Sequence, residues 1–416
     1  MFQIKPLIAL QLAIGLTLCV LFAGCGGGGG TSGGPGSALI HTLQEAQQPA
    51  KWTVLVYLDA DNDLEDAAIQ NFNQMESVGS TLDVHVIVQM DRMTGDNPNN
   101  ASWVDTRRYL IVQDSDTRVM HSLRLDAPPL GELDMANPNT LRDFVQWGKS
   151  QFPADHYLLV VWDHGSGWHL RTMKTQPRYK SIAADDTSGT EMNVTDLPAA
   201  LAGLKVDVLA FDACYMQQLE VAYEVRDCAD YLVGSAATEP SPGYNYSRLL
   251  RNISGATTPV QMCQTIVQQY AAEYPNPETD ITQSAVDLAR IGDVATAASD
   301  LAGLLIPKAS TLSSSLAAAR SNSLDYSSND GYYSHDLIDY ADRCATALGP
   351  SANAARLALD SAVTAAVISS IHNNDMPSAH GLAIYVPPPR FYDPRYPELS
   401  LSGNTQWDEW LQHQRE

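Results

Sequence analysis

Basic residues are scarce in this chain of 416 residues: 25 Lys and Arg stand against 48 Asp and Glu, a formal charge of −23. That balance argues against a nucleic-acid binder, since phosphates demand a basic face. Cysteine is also sparse, six in all, and no C-x-x-C occurs. With Cys19 and Cys25 near the N-terminus set aside, Cys214, Cys228, Cys263 and Cys344 remain. Four thiols make no disulfide framework in a domain of this size, and their spacing is not that of a zinc site. One pair stays open in an oxidising compartment. No internal repeat is found. What the chain does have is a 44% hydrophobic content with seven Trp, enough to build one large domain or two ordinary ones.

The N-terminus sets the expected compartment. Leu7 to Phe22 is an apolar run of the length of a signal-peptide core, short for a membrane span. It ends in Leu21-Phe-Ala-Gly-Cys25, which resembles the lipobox of bacterial lipoproteins, where cleavage precedes the cysteine and the thiol takes a lipid. Gly26 to Ser37 then reads as a flexible tether. The expectation is a signal peptide over 1–24 and a lipidated Cys25 with its tether over 25–50. The product would be exported and lipid-anchored to the bacterial cell envelope, facing the periplasm or the cell surface. Ordinary secretion with cleavage nearby is the alternative.

Beyond the tether, hydrophobic runs and helical spacing alternate. Strands are expected at 51–58, 83–90, 107–112, 157–163, 206–211, 231–237, 283–288 and 381–386. Helical stretches fall at 139–152, 196–204, 259–274, 293–320 (broken at Pro307) and 352–371. Such alternation predicts an α/β fold, a mostly parallel sheet flanked by helices on both faces, with C-terminal elaborations.

Two of these strands end in reactive groups. Tyr157-Leu-Leu-Val-Val-Trp-Asp163 runs into His164-Gly165, and Val206-Asp-Val-Leu-Ala-Phe211 into Asp212-Ala213-Cys214. In an open α/β sheet, residues just past the carboxyl ends of adjacent strands meet in one crevice. A thiol and an imidazole delivered there form a nucleophile and its proton partner, which points to a cysteine hydrolase. Alone, Cys214 would be read as a small buried apolar residue and His164 as a satisfied polar group. Tyr215 to Glu220 reads as a helix start, whose N–H groups would favour a thiolate. His164 precedes Cys214 by 50 residues, an offset similar to the ≈ 50 residues of caspases. Gly165 and Gly167 allow a substrate backbone close approach, and the N–H groups of Gly165 and Cys214 are candidate oxyanion donors.

Asp163-His-Gly-Ser-Gly-Trp168 and Phe211-Asp-Ala-Cys-Tyr-Met216 resemble the two catalytic blocks of the clostripain family of cysteine peptidases. Similar segments are Tyr57 to Glu65, Gln89-Met-Asp-Arg92, Gly234 to Pro240 and Gly381 to Pro387, so the resemblance covers about residues 50–390. It implies a caspase-like α/β domain over 51–390, followed by a C-terminal extension over 391–416. It also implies a His164/Cys214 dyad cutting protein or peptide substrates after basic residues. Asp212 would then lie in the pocket for the residue before the cut, where a carboxylate holds Arg or Lys; its structural alternative is a helix cap. Glu239 is a second candidate for that pocket, or a solvated loop acid. Family members often mature by cutting themselves between the two blocks, which here makes Lys174, Arg178 and Lys180 candidate self-cleavage positions.

No cofactor is required for this chemistry. Calcium dependence does occur in the family, but the ligands are not readable. Asp59, Asp61, Asp63 and Glu65 have the spacing of a calcium loop, yet Leu64 fills the sixth position, where a calcium hand needs Gly. Asp61 or Asn62 more simply caps a helix. Two alternatives to the peptidase reading stay open: a caspase-like hydrolase of other specificity, and an inactive binding or adhesion lipoprotein on the same fold.

Overall fold

Val54, Val56 and Leu58 face one side of the strand β1 (Ala50–Ala60) while Leu55 and Tyr57 face the other, and both sides are buried. A strand apolar on both faces belongs inside a sheet covered by helices on each side. The computed structural model describes residues 43–93, 103–169, 182–276, 279–328, 330–373 and 376–414, all within one compact unit spanning Ala38–Glu416. The remaining strands in chain order are β2 (Val84–Arg92), β3 (Arg107–Leu110), β4 (Leu123–Arg124), β5 (Ala154–Trp162), β6 (Ile182–Asp185), β7 (Thr190–Met192), β8 (Val206–Asp212), β9 (Ala229–Gly234), β10 (Thr282–Asp287), β11 (Ser334–Asp336), β12 (Val367–His372) and β13 (Ala383–Tyr385).

Nine of them form one sheet in the order β12-β10-β9-β8-β5-β1-β2-β3-β4. Its centre, β9-β8-β5-β1-β2, is parallel, and the outer strands on both flanks are antiparallel. The fold class is therefore the expected mostly parallel α/β sheet flanked by helices.

Each face has its own core. On one, Ile87, Leu159, Val161, Leu209 and Phe211 meet Leu141, Phe144 and Val145 of the helix Pro138–Gln151. On the other, Val86, Val160 and Val208 meet Ile69, Phe72 and Met75 of the helix Glu65–Glu76 and Met262 and Ile266 of the helix Pro259–Glu273. Both Pro-led helices carry their own start signals. Asn137 accepts a hydrogen bond from the Asn139 N–H, and Thr258 with Gln261 forms a reciprocal capping box. The C-terminal helix Trp407–His413 buries Trp407 and Trp410 in the first core. Among the described residues no helix is long and apolar enough to cross a membrane.

Three expectations change. The stretch 352–371 is a helix only to Ala366; Val367-Ile-Ser-Ser-Ile-His372 is the edge strand β12, paired antiparallel to β10. Its β-branched residues had been absorbed into the Ala-rich helical pattern before it. The late strand at 381–386 shortens to β13 and pairs with β11 in a separate two-stranded sheet. The helix at 196–204 shrinks to Leu197–Ala200 after a 3₁₀ turn. By contrast, the expected break at Pro307 falls in a 3₁₀ turn between the helices Ile291–Leu305 and Ser313–Asn322.

Candidate active site

Connections diverge at β1: the chain passes to β2 on one side and later returns to β5 on the other. That is a topological switch point, and the crevice outside the carboxyl ends of β1, β5 and β8 is where such sheets bind ligands. β5 and β8 run parallel with Trp162 opposite Asp212, so His164 and Cys214 each follow that pair by two residues. Both line one cleft, together with Leu64, Ala67, Asp163, Asp212, Glu239 and the turn Pro240–Gly243. Its volume, ≈ 170 Å³, is below the roughly 300–1,000 Å³ of a pocket that engulfs a whole small ligand, and suits a single side chain.

The backbone at the cleft admits no bulk. A Cβ on Gly165 would lie 2.3 Å from the Cys214 carbonyl oxygen and 3.0 Å from its nitrogen, so the two loops touch through glycine. Among the described residues, neither the Gly165 nor the Cys214 N–H donates to a backbone carbonyl.

The helix expected directly after Cys214 is absent. It begins only at Leu219, because the intervening chain runs beside the segment that follows β9. The Tyr215 N–H donates to Ala237 O at 3.0 Å and the Gln217 N–H to Ser235 O at 2.9 Å. Tyr215 takes a left-handed φ of 63° at this turn. A helix N-terminus thus does not lower the thiol's pKa; burial pushes it up instead. What favours the thiolate is local: the Glu239 N–H donates to Cys214 Sγ at 3.1 Å.

Asp212 caps no helix. It is 4% exposed, accepting from the Tyr244 N–H at 3.0 Å and the Tyr246 hydroxyl at 2.8 Å. A Cβ on Gly243, at φ +78°, would come 2.2 Å from Asp212 Oδ1, so the turn closes on the carboxylate. Glu239 is no solvated loop acid: its two carboxyl oxygens are buried beside Asp212. Burial first, then the neighbouring Asp212, raises its pKa far above the usual range. Burial likewise lifts Asp212 to about 7, with Glu239, Tyr246 and Tyr244 working against it through hydrogen bonds. Among the described residues no cation pairs with either carboxyl, and burial with their mutual repulsion favours the protonated forms.

The acid-rich turn after β1 divides its members among different tasks. Asp63 Oδ1 sits 2.8 Å from His164 Nε2. Asn62 holds the next residue back, its amide donating to Asp163 Oδ1 at 2.7 Å, while its own Oδ1 accepts from the Leu64 N–H at 2.9 Å. Glu65 pairs with Arg92 at 2.6 Å. Asp61 joins Asp91, Glu132 and Asp185 in an all-carboxylate group. Asp63, Tyr244 and Tyr246 were missed as site residues in the sequence. Only Asp63 carried a signal, and its spacing suggested a different role.

The four cysteines of the folded part are all free thiols. Cys25, Lys174, Arg178 and Lys180 lie outside the described residues.

The model of the clostripain family, peptidase C11, matches residues 56–413. Clostripain from Hathewaya histolytica is 28% identical over 245 residues, 51% of this chain and 46% of that protein, so the match spans just under half the relative's length. Two solved structures share the fold. A secreted C11 cysteine protease from Bacteroides thetaiotaomicron, in complex with an irreversible peptide inhibitor, aligns with a TM-score of 0.64 at 21% identity, over 86% of this chain and 100% of that one. An inactive zymogen C11 protease from Parabacteroides distasonis aligns with a TM-score of 0.62 at 22% identity, over 86% of this chain and 99% of that one.

Proposed function

The chain belongs to the clostripain family, and on that premise we propose that it is a cysteine endopeptidase cutting after Arg, and also after Lys. Cys214 is the nucleophile and His164 the acid–base. One observation carries the reading: in-register strands bring a thiol and an imidazole to one cleft beside two buried, cation-deficient carboxyls.

The chemistry runs through these groups. With the thiol's pKa raised by burial, His164 takes the Cys214 proton as the sulfur attacks the carbonyl carbon before the scissile bond. Negative charge then develops on the carbonyl oxygen, within the N–H groups of Gly165 and Cys214. His164 returns the proton to the leaving amine, and the thioester is hydrolysed by water activated through the same imidazole. Asp63 holds that ring through Nε2. Gly165→Ala forces these loops apart, and kcat/KM is expected to fall on the order of 10²-fold with the far-UV circular dichroism spectrum unchanged.

Specificity rests on Asp212 and Glu239. A guanidinium entering the cleft supplies the missing cation and draws the proton off the pair. Folded-state pKa values raised above unfolded ones mean stability present below the unfolded pKa and lost as pH rises through about 7 for Asp212. A cationic side chain prefers the ionised pair, so its binding must strengthen over that same rise. Cleavage of an Arg peptide, relative to a matched norleucine peptide, is therefore expected to increase from pH 5 to pH 8. A ratio independent of pH removes the pair from specificity.

Three further features belong to the same proposal: export, a lipid anchor on Cys25, and self-cleavage at Lys174, Arg178 or Lys180. Their support is the N-terminal resemblance and the basic residues between the two blocks. Labelling with an Arg-directed and an Asp-directed thiol-reactive peptide tests the core of the reading. Modification of Cys214 by the first alone is expected; modification by the second alone contradicts it.

A further inference from the structure

Two loops carry His164 and Cys214, and they are tied together on both sides of that pair. At the strand exits the Asp163 N–H donates to the Asp212 carbonyl at 3.4 Å. Farther on, the Trp168 N–H donates to the side-chain oxygen of Gln218 at 3.2 Å. In sequence His164 and Cys214 lie between these ties, each four residues before the second. Segments 163–168 and 212–218 thus make a closed ring of chain, and the Gln218 side chain completes it.

The surroundings of Gln218 are arranged around its amide. The residue is 0% exposed, and its Nε2 donates to the Ser334 hydroxyl at 3.0 Å. A backbone N–H can only donate, so Trp168 fixes which end of the amide faces it. Gly167, at φ +65°, lies directly against that amide. A Cβ there would come 2.3 Å from Gln218 Oε1 and 2.6 Å from its Cδ. The backbone is held as well: Gln218 forms a parallel bridge to Ala383 of β13, and the Gln217 carbonyl accepts from the Ala383 N–H at 3.0 Å. Ser334 lies in β11, opposite Tyr385 of β13. The small sheet β11-β13 therefore grips Gln218 at both its backbone and its amide.

Leucine would fill this buried space without needing partners, whereas a buried amide is costly unless both ends are satisfied. Here both ends are used, and they reach segments 50 residues upstream and 116 downstream.

We propose that Gln218 is a positioning residue, a brace that holds the His164 loop against the Cys214 loop. This role rests on the proposed peptidase reading, in which His164 must stay within hydrogen-bond reach of the Cys214 thiol. Without the brace the ring opens on the side away from the strands, and the imidazole gains freedom relative to the sulfur. A misplacement of about 1 Å costs on the order of 10²-fold in rate. Asp212 is fixed separately, by the Tyr244 N–H and the Tyr246 hydroxyl, so the loss falls on kcat rather than KM.

The test compares Gln218→Leu with Gln218→Glu in the full chain. Leucine removes both hydrogen bonds. Glutamate keeps an acceptor for the Trp168 N–H and offers a second oxygen to which the Ser334 hydroxyl can donate. Leucine is expected to lower kcat for an Arg peptide about 10- to 100-fold with KM within about threefold, and glutamate to recover most of the loss. Amide exchange around Trp168, followed by mass spectrometry in the Cys214→Ala background, reads the brace without any turnover. It should rise at least about tenfold with leucine and stay near the parent's with glutamate. Ser334→Ala, which frees one end of the amide, should give the same change in smaller degree, and it serves if the leucine variant does not fold. Unchanged exchange in the folded variants would overturn the brace. Raised exchange with unchanged kcat, or equal losses with leucine and glutamate, would overturn its positioning role. A wild-type chain that cleaves no peptide would strike the peptidase reading, while exchange would still decide the brace.

Discussion

Cys214→Ala is expected to lower kcat/KM by at least about 10⁴-fold while leaving the protein folded. The size of the effect follows from the environment of the thiol. Besides carboxyls, an imidazole and apolar side chains, the cleft is lined by the Ser241 hydroxyl, a far weaker nucleophile than a thiolate. The substitution also costs the fold little: Cys214 Sγ takes one hydrogen bond, from the Glu239 N–H, and leaves a cavity no larger than a sulfur atom. Single-turnover assays with a fluorogenic Arg peptide, beside a thermal melt, separate the two effects. Residual turnover above about 1% of wild type would mean that Cys214 is not the attacking group.

Asp212→Asn should lower kcat/KM for Arg and Lys peptides on the order of 10²–10³-fold and leave a norleucine peptide within a few-fold of wild type. Removing one partner of a desolvated charge pair costs about 2–5 kcal/mol, much of it the penalty on the charge left behind. Asparagine is the informative replacement because it keeps an acceptor for the Tyr244 N–H. Alanine would strand both that N–H and the Tyr246 hydroxyl in a buried site, about 1–3 kcal/mol of unfolding stability each, and blur the result. Glu239 limits the loss, since its carboxyl can ionise once Asp212 is neutral. Adding Glu239→Gln to Asp212→Asn should therefore remove what remains. An equal loss for charged and neutral peptides would assign Asp212 to structure alone.

The parts of this molecule that were legible before any coordinates are those set by local pattern. β1, β2, β5 and β8 are rich in apolar residues, because both faces of a central parallel strand are buried, and their ends fall within three residues of expectation. The helices Pro138–Gln151 and Pro259–Glu273 were expected from their spacing, within a residue at each end. Illegible features depend on partners remote in sequence. The chain after Cys214 has helical composition, yet its N–H groups go to Ser235 and Ala237. β12 exists because β10 offers it an edge.

The same division runs through the site. His164 and Cys214 stand at strand exits, which any reading of the strands exposes. Asp63 reaches His164 from 101 residues away, and Tyr246 reaches Asp212 from 34. Glu239 stood open between pocket residue and loop acid because nothing in its own neighbours reveals that its carboxyl is buried. The acidic turn Asp59–Glu65 shows how pattern misleads: its spacing suggests one calcium loop, while its members point to a histidine, an arginine and a separate carboxylate group.

One comparison weighs most. Wild type and Asp212→Asn would be assayed against peptides identical except for Arg, Lys, Asn or Asp before the cut, with Cys214→Ala as the blank. Rapid cleavage after Arg, weaker after Lys, and collapse of both in Asp212→Asn is the expected result. Cleavage confined to Asn or Asp, unaffected by Asp212→Asn, would contradict it.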